Sequence, residues 1–324
     1  MRHVLTPAGY HGDGRRTKYF EGWYVKLIDA EQRARLALIP GVFLAQTADG
    51  PHEAFVQVLD GATGRSWYIP FPMTDFTARA DVFAVQVGPN RFSTGGVRLD
   101  LPEAGLSGAV DFGPLDPWPV SARSPGAMGW YAWMPFMECY HGVVSFGHTL
   151  SGQLTFEGRT LGFDGGRGYI EKDWGQAFPS GYVWMHSNHF NDPTVSLIAS
   201  VAIIPWLRGS FQGLLLGLKV GQRLYRFTSY TGAKVKELRL DDEHVWLVVS
   251  GRDGTLEIRA TRPGGAFLHA PVRTEMHKRV EETLQAEIAI RLTDPSGRLV
   301  LDDVGASAGL EVHGDVDRLI RMGS

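Results

Sequence analysis

Tyr19-Phe20-Glu21-Gly22-Trp23-Tyr24-Val25-Lys26-Leu27 alternates along its length, with a carboxylate set among aromatic and aliphatic side chains. At a period of two, Tyr19, Glu21, Trp23, Val25 and Leu27 share one face of a β-strand. The same period returns at 54–59, 82–87, 143–150, 152–156, 182–190 and 195–204, and again at 212–220, 224–230, 245–250, 255–260, 286–292 and 298–302. Turn signals separate these runs: Asp49-Gly50, Asp60-Gly61, Pro89-Asn90, Asp253-Gly254 and Pro295-Ser296-Gly297. Many short strands with frequent turns predict an all-β protein of two antiparallel barrels or strongly curved sheets, with little helix. The 40 glycines and 18 prolines in 324 residues fit that reading, because a helix bundle tolerates few such breakers. One short helix is expected at 274–284, where Met276, Val280 and Leu284 recur every fourth residue.

The composition narrows the classes. Hydrophobic residues make up 44% and charged residues 21%, enough to bury a core and too apolar for a disordered chain. A net charge of −3 supplies no basic field, so nucleic acid is not an expected partner. The single cysteine, Cys139, cannot form an internal disulfide, which suits a reducing compartment. Residues 1–10 lack the apolar region of a secretory signal. The most apolar stretch, 195–207, contains Pro205 and stops at Arg208, too short to cross a bilayer. A cytoplasmic protein is expected. The division with the best support falls near 175–181, giving domains 1–178 and 179–324. Residues 114–135, rich in proline and tryptophan, read as an ordered aromatic loop.

Four segments could carry chemistry. In Gly168-Tyr-Ile-Glu171-Lys172-Asp173-Trp174-Gly175, a strand places Glu171 and Asp173 on one face and Lys172 and Trp174 on the other. Two carboxylates on one face repel or share a proton, which suits a general acid. The plainer reading is a strand end, with Asp173 capping amides and Lys172 paired with Glu171. In the second segment, alternation puts Tyr182, Trp184, His186, Asn188 and Phe190 on one face; polar groups there need partners, in a binding site or in a satisfied core network. In the third, Glu21 beside Trp23 would titrate high if buried, unless Arg15 or Arg16 pairs with it. The fourth runs from Ser124 to Gly142 and carries Trp130, Glu138 and His141; it reads as an apolar wall or as a plug for a barrel end.

Other chemistries lack their motifs. No glycine-rich dinucleotide fingerprint or P-loop lysine occurs, so no nucleotide cofactor is expected. His186 and His189 face opposite ways on a strand and no His-Glu-x-x-His occurs, so no metal is expected. No nucleophile elbow is present. Cys139 has no activating motif and reads as a packing residue.

Several spaced segments, taken in order, resemble the tocopherol cyclase family: Gly9-Tyr-His11 with Tyr19-Phe-Glu-Gly-Trp-Tyr24, Pro125-Gly-Ala-Met-Gly-Trp130 with Pro135-Phe-Met-Glu-Cys139, Glu171-Lys-Asp-Trp-Gly175 with Phe178-Pro179, and Asp303 with Ala308-Gly-Leu-Glu311. The resemblance covers nearly the whole chain. Plant members are longer, carry a plastid transit segment and have Asn where this chain has Asp173. The resemblance implies a pair of lipocalin-like β-barrels and kinship with carotenoid hydratases. It implies a cofactor-independent intramolecular lyase or isomerase: an acid protonates the alkene of a prenylated hydroquinone, and the phenol oxygen closes a chroman ring on the carbocation. Asp173, Glu171 and Glu21 then stand as candidate acids, with Asp173 first. His186 and Asn188 would orient the phenol, and Trp174, Trp184, Tyr182, Trp23, Glu138 and Trp130 would line the substrate. The expected partner is a lipophilic isoprenoid quinol, met in the cytoplasm or at the inner face of a membrane. Two other readings compete: a non-catalytic carrier of such ligands, and an alkene hydratase that admits water to the same cation.

Overall fold

A computed structural model describes residues 3–271 and 275–323. The chain divides into two compact units, Met1–Phe178 with Phe267–Arg279, and Pro179–Ala266 with Val280–Ser324. The expectation of antiparallel sheets with little helix holds. Among the described residues the one α-helix is Val316–Arg321.

In the first unit the strand Tyr19–Ile28 pairs with Arg35–Leu44 on one side and with Arg167–Gly175 on the other. Hairpins extend the sheet outward through His52–Asp60 to Arg65–Phe71 on one flank, and through Cys139–Phe156, Leu106–Phe112, Gly96–Leu101, Asn90–Ser93 and Ala84–Val87 to Phe76–Ala78 on the other. The 18-residue strand Cys139–Phe156 changes partners along its length: its first part pairs with Arg167–Gly175 and its last part with Leu106–Phe112. Register shifts between Val143 and Ser145 and between Ser145 and His148 mark the change. Such bulges bend a strand, and here they curl the sheet until Ala84–Val87 approaches His52–Asp60 and the barrel nearly closes. Trp23, Val25, Leu27, Leu38, Val56 and Ile170 fill its interior.

Arg35–Leu44 is a central strand that the period-two reading passes over, because Pro40-Gly41 interrupts it. Its ladder to Tyr19–Ile28 runs to Gly22 opposite Gly41 and resumes at Val25 opposite Leu38, leaving Pro40 outside the paired positions on that side. Gly41 is required for proximity: a Cβ there would lie 2.6 Å from the carbonyl oxygen of Glu21 and 2.6 Å from the ring of Phe55. The neighbouring backbone therefore closes directly against Glu21.

The second unit is built on another antiparallel sheet. Its central strands are Val195–Trp206, Gly181–Ser187, Leu299–Gly314 and Met276–Thr293, in that order. Its core includes Val183, Met185, Leu197, Phe227, Leu247 and Ile288. The helix expected at 274–284 is a strand: Met276–Thr293 is extended, and Thr274 lies outside the described residues. A recurrence every four residues also satisfies a period of two, so Met276, Val280 and Leu284 could not distinguish helix from strand. The aromatic loop after Phe112 is ordered. It holds a 3-10 stretch, Gly126–Trp133, and buries Trp118.

Candidate active site

The ladder of the first unit sets Glu21 opposite Trp174 and Trp23 opposite Lys172. Directly opposed residues share a face, so all four point into the same side of the sheet. There the Lys172 ammonium forms an ion pair with Glu21 and also donates to the Gly9 carbonyl and to His11 Nδ1. Its three protons thus have three acceptors. Its Nζ lies 4.9 Å from the Trp23 ring centroid and 4.6 Å from that of Trp174. The Glu21 carboxylate in turn accepts from the His11 amide, at 2.9 Å to Oε2, and from the Tyr19 hydroxyl. His11 stacks on Trp174 with centroids 4.4 Å apart and planes 5° from parallel. The arrangement pins the segment Gly9–His11 to the barrel.

Glu21 does not titrate high. Burial pushes its carboxyl up, but Lys172 and the His11 contacts outweigh this and hold it below the ordinary value. Burial lowers the Lys172 ammonium to about 8, against the pull of Glu21. Neither alternative pairing foreseen for these residues occurs: Glu21 takes Lys172 in place of an arginine, and Lys172 cannot reach Glu171, its sequence neighbour on the opposite face. The indoles of Trp23 and Trp174 enclose a cation that the chain itself supplies.

The other face of Arg167–Gly175 carries Glu171 and Asp173, and the ladder sets His141 opposite Asp173. His141 Nδ1 lies 3.0 Å from Asp173 Oδ1 and His141 Nε2 lies 3.5 Å from Glu171 Oε2. The Tyr169 hydroxyl donates to the same Glu171 oxygen at 2.6 Å. Glu171 is buried, whereas the Asp173 side chain retains 28% of its accessible surface and is the open end of the array. Burial alone would lower the His141 value, yet the carboxylates of Asp173 and Glu171 raise it to about 9. His141 is therefore an imidazolium at neutral pH, clamped between two carboxylates. Asp173 and Trp174, adjacent in sequence, stand on opposite sides of the sheet. His141, Glu171 and Asp173 also offer one ligand atom each within 4.8 Å. Imidazole ligates a metal only when neutral, so at neutral pH a proton competes for this set against a divalent cation.

A family profile described as tocopherol cyclase-like matches residues 93–314. The chain belongs to the tocopherol cyclase-like family. It is 23% identical over 375 aligned residues to a probable chloroplastic tocopherol cyclase of Oryza sativa subsp. japonica, with 97% of this chain and 79% of that protein covered. It is 26% identical over 210 residues to the chloroplastic tocopherol cyclase of Zea mays, covering 60% of this chain but 43% of the maize protein. Among solved structures it resembles a Nitrosomonas europaea protein assigned as AttH, with a TM-score of 0.54 and 15% identity over 94% of this chain and 95% of the other. It also resembles CghA, solved with Sch210972, with a TM-score of 0.56 and 11% identity over 91% and 88% of the two chains. These two likenesses concern the fold. No described helix is long and apolar enough to cross a membrane.

The remaining candidates of this cyclase-like chain lie elsewhere. In the second unit Tyr182, Trp184 and His186 are buried and do not belong to the apolar core that takes Val183 and Met185. The Tyr182 hydroxyl donates to Glu311 at 2.6 Å, and the Trp184 and His186 rings lie 6.5 Å apart. The expected alternation stops at Asn188, which interrupts the strand. His189–Phe190 resumes it, and Phe190 joins the apolar core with Val183. In the first unit Glu138 is half-buried and its carbonyl accepts from the Gln176 amide, while Trp130 is exposed and stacks on Tyr131 at 4.1 Å. His141, Tyr169, Lys172 and His11 carry no assigned site role in the sequence reading, although His141 and Lys172 lie in its chemistry-bearing segments and His11 in its family motif. His141 was visible only as one titratable group in an aromatic loop, and its partner follows from strand register.

The clamp has a consequence for stability. The folded value of about 9 exceeds the ordinary 6.5, so the stabilisation is complete below pH 6.5 and is lost as pH rises through about 9. That separation corresponds to about 3 kcal/mol. The difference in urea-unfolding free energy between wild type and His141→Gln is expected to shrink by about that amount from about pH 6 to about pH 10. A gap independent of pH would mean that His141 is not held protonated.

Proposed function

We propose that this cyclase-like protein catalyses an acid-promoted ring closure of a prenylated hydroquinone, with Asp173 as the proton donor. The carboxylate–imidazolium–carboxylate array of Asp173, His141 and Glu171 carries this reading. The His141 imidazolium sits between the Asp173 and Glu171 carboxyl groups. A lipophilic ligand over Asp173 excludes water, and a dry site favours a neutral carboxyl over a carboxylate. The Asp173 carboxyl gives its proton to the less substituted alkene carbon, leaving a tertiary carbocation. The imidazolium at Oδ1 favours this step because it pairs with the carboxylate that forms. The phenol oxygen then bonds to the cationic carbon and its proton returns to Asp173. No proton or electron is consumed overall, so the step is an isomerisation.

The test offers wild-type protein a prenylated hydroquinone in deuterium oxide. Chromanol carrying one deuterium on the carbon next to the new C–O bond is the expected product. A tertiary alcohol heavier by one water would favour the hydratase reading, and tight binding without turnover the carrier reading.

A further inference from the structure

The most apolar stretch of the chain outruns the core it serves. In the second unit Val195–Trp206 and Gly209–Val220 form a hairpin whose apolar core positions end at Ile203. Beyond that point Ile204, Pro205, Trp206, Leu207 and Phe211 continue without entering the core. Leu207 is 85% exposed, well above every other exposed large hydrophobic side chain described. It also sits at φ +52°, a left-handed conformation that leucine rarely adopts. Trp206 packs edge-on to Phe211, with centroids 5.9 Å apart, and the pair forms an apolar shoulder beneath Leu207. Arg208 shares the tip. Arg318, from the helix Val316–Arg321, donates to Ser210 at 2.7 Å and adds a second guanidinium one step below. Two carboxylates stand beside Arg318, Asp315 accepting from its amide as the helix cap and Asp317 preceding it in the first turn, whereas its guanidinium is turned to Ser210 at the hairpin. The arrangement is a projecting apolar point collared by two arginines.

We propose that residues 205–211 dock the protein on an anionic bilayer surface, with Trp206 and Leu207 among the acyl chains and Arg208 and Arg318 at the headgroups. An indole and a leucine at the tip suit the boundary between headgroup and acyl chain, and guanidinium groups suit anionic lipid. The single two-residue turn at the hairpin tip dips into the interface without spanning it. The inference stands on the hairpin and not on the reaction. If the quinol reading also holds, docking places the protein where such a substrate dissolves.

The test is co-sedimentation of the full chain with vesicles of phosphatidylcholine alone and with about one-third phosphatidylglycerol. Wild type is expected to sediment with the mixed vesicles and less with the neutral ones. Leu207→Glu, at an exposed position, should keep the fold and weaken binding about tenfold or more. Arg208→Glu should weaken binding to the mixed vesicles about fivefold or more and reduce the preference for them. The proposal fails if wild type stays in the supernatant with both vesicles, or if Leu207→Glu sediments like wild type. It also fails if wild type self-associates through the tip in sedimentation velocity, Leu207→Glu does not, and neither binds vesicles; the tip would then serve a second copy of the chain. Because binding is read without turnover, an inactive protein that still sediments leaves docking intact.

Discussion

Asp173→Asn is expected to cut chromanol formation about 10²–10⁴-fold while fold and ligand binding persist. Asparagine, which the plant members carry at this position, keeps the size of the side chain and can still face His141, but it has no proton of useful acidity to give, so a chain with asparagine there has to draw the proton from another group. The loss should fall in kcat more than in KM, because the proton moves only in the transition state. His141→Gln should slow turnover less, since it removes the partner of the nascent carboxylate and not the donor. Activity that depends on the imidazolium should also fall as pH rises through about 9, where His141 loses its charge. Near-normal turnover by Asp173→Asn would exclude Asp173 as the acid. Glu171 would then be the next group to test, since its carboxylate faces the same imidazole and the Tyr169 hydroxyl at 2.6 Å.

The second large effect concerns stability. Lys172→Met is expected to lose about 3–5 kcal/mol, read from urea unfolding, because it leaves the Glu21 carboxylate buried without its cation. Glu21→Gln should cost a similar amount by stranding the ammonium between Trp23 and Trp174. The double variant Glu21→Leu with Lys172→Met should recover most of the loss, because an apolar pair removes both desolvated charges together. If either single variant proves too unstable to purify, the double variant still decides between a structural ion pair and a catalytic one. A folded double variant that retains turnover assigns the pair to structure, and one that folds and is inactive assigns it to chemistry. The wild-type pair also sets an acid limit. The Glu21 value is depressed in the folded state, so its stabilisation is present above the ordinary 4.5 and is lost as pH falls through the folded value. That acid-induced loss should be absent from the double variant.

Trp174→Leu illustrates how the two faces separate. An indole next to Asp173 in sequence invites a role in stabilising the substrate cation. In the fold Trp174 stacks between His11 and Tyr140 and covers Lys172, so its loss is expected to appear mainly as lowered stability. The same logic explains why Glu21, the most conspicuous buried acid, is a poor proton donor here. An acid has to give up its proton to the reacting group. Glu21 is fully buried and held ionised by Lys172, whereas the Asp173 side chain keeps an accessible edge.

Local pattern was enough to read the fold class, the strand Tyr19–Ile28 and the alternation within Gly168–Gly175, because each rests on spacing within a few residues, whereas the family showed only in a series of segments spread along the chain. Period two assigns Glu171 and Asp173 to one face and Lys172 and Trp174 to the other without reference to anything distant. The same pattern could not choose partners. That Glu21 meets Lys172, and that Asp173 meets His141, depends on which strands pair and in what register, and pairing joins positions far apart in the chain. Period four at Met276, Val280 and Leu284 was ambiguous for the same local reason, and Pro40-Gly41 disguised a central strand whose missing ladder contacts only its neighbours could compensate. Residue types therefore disclosed which groups were available for chemistry. Tertiary pairing decided which carboxylates were neutralised by a lysine and which were left beside an imidazolium, because charge in a low-dielectric interior is set by the groups within a few ångströms and not by neighbours along the chain.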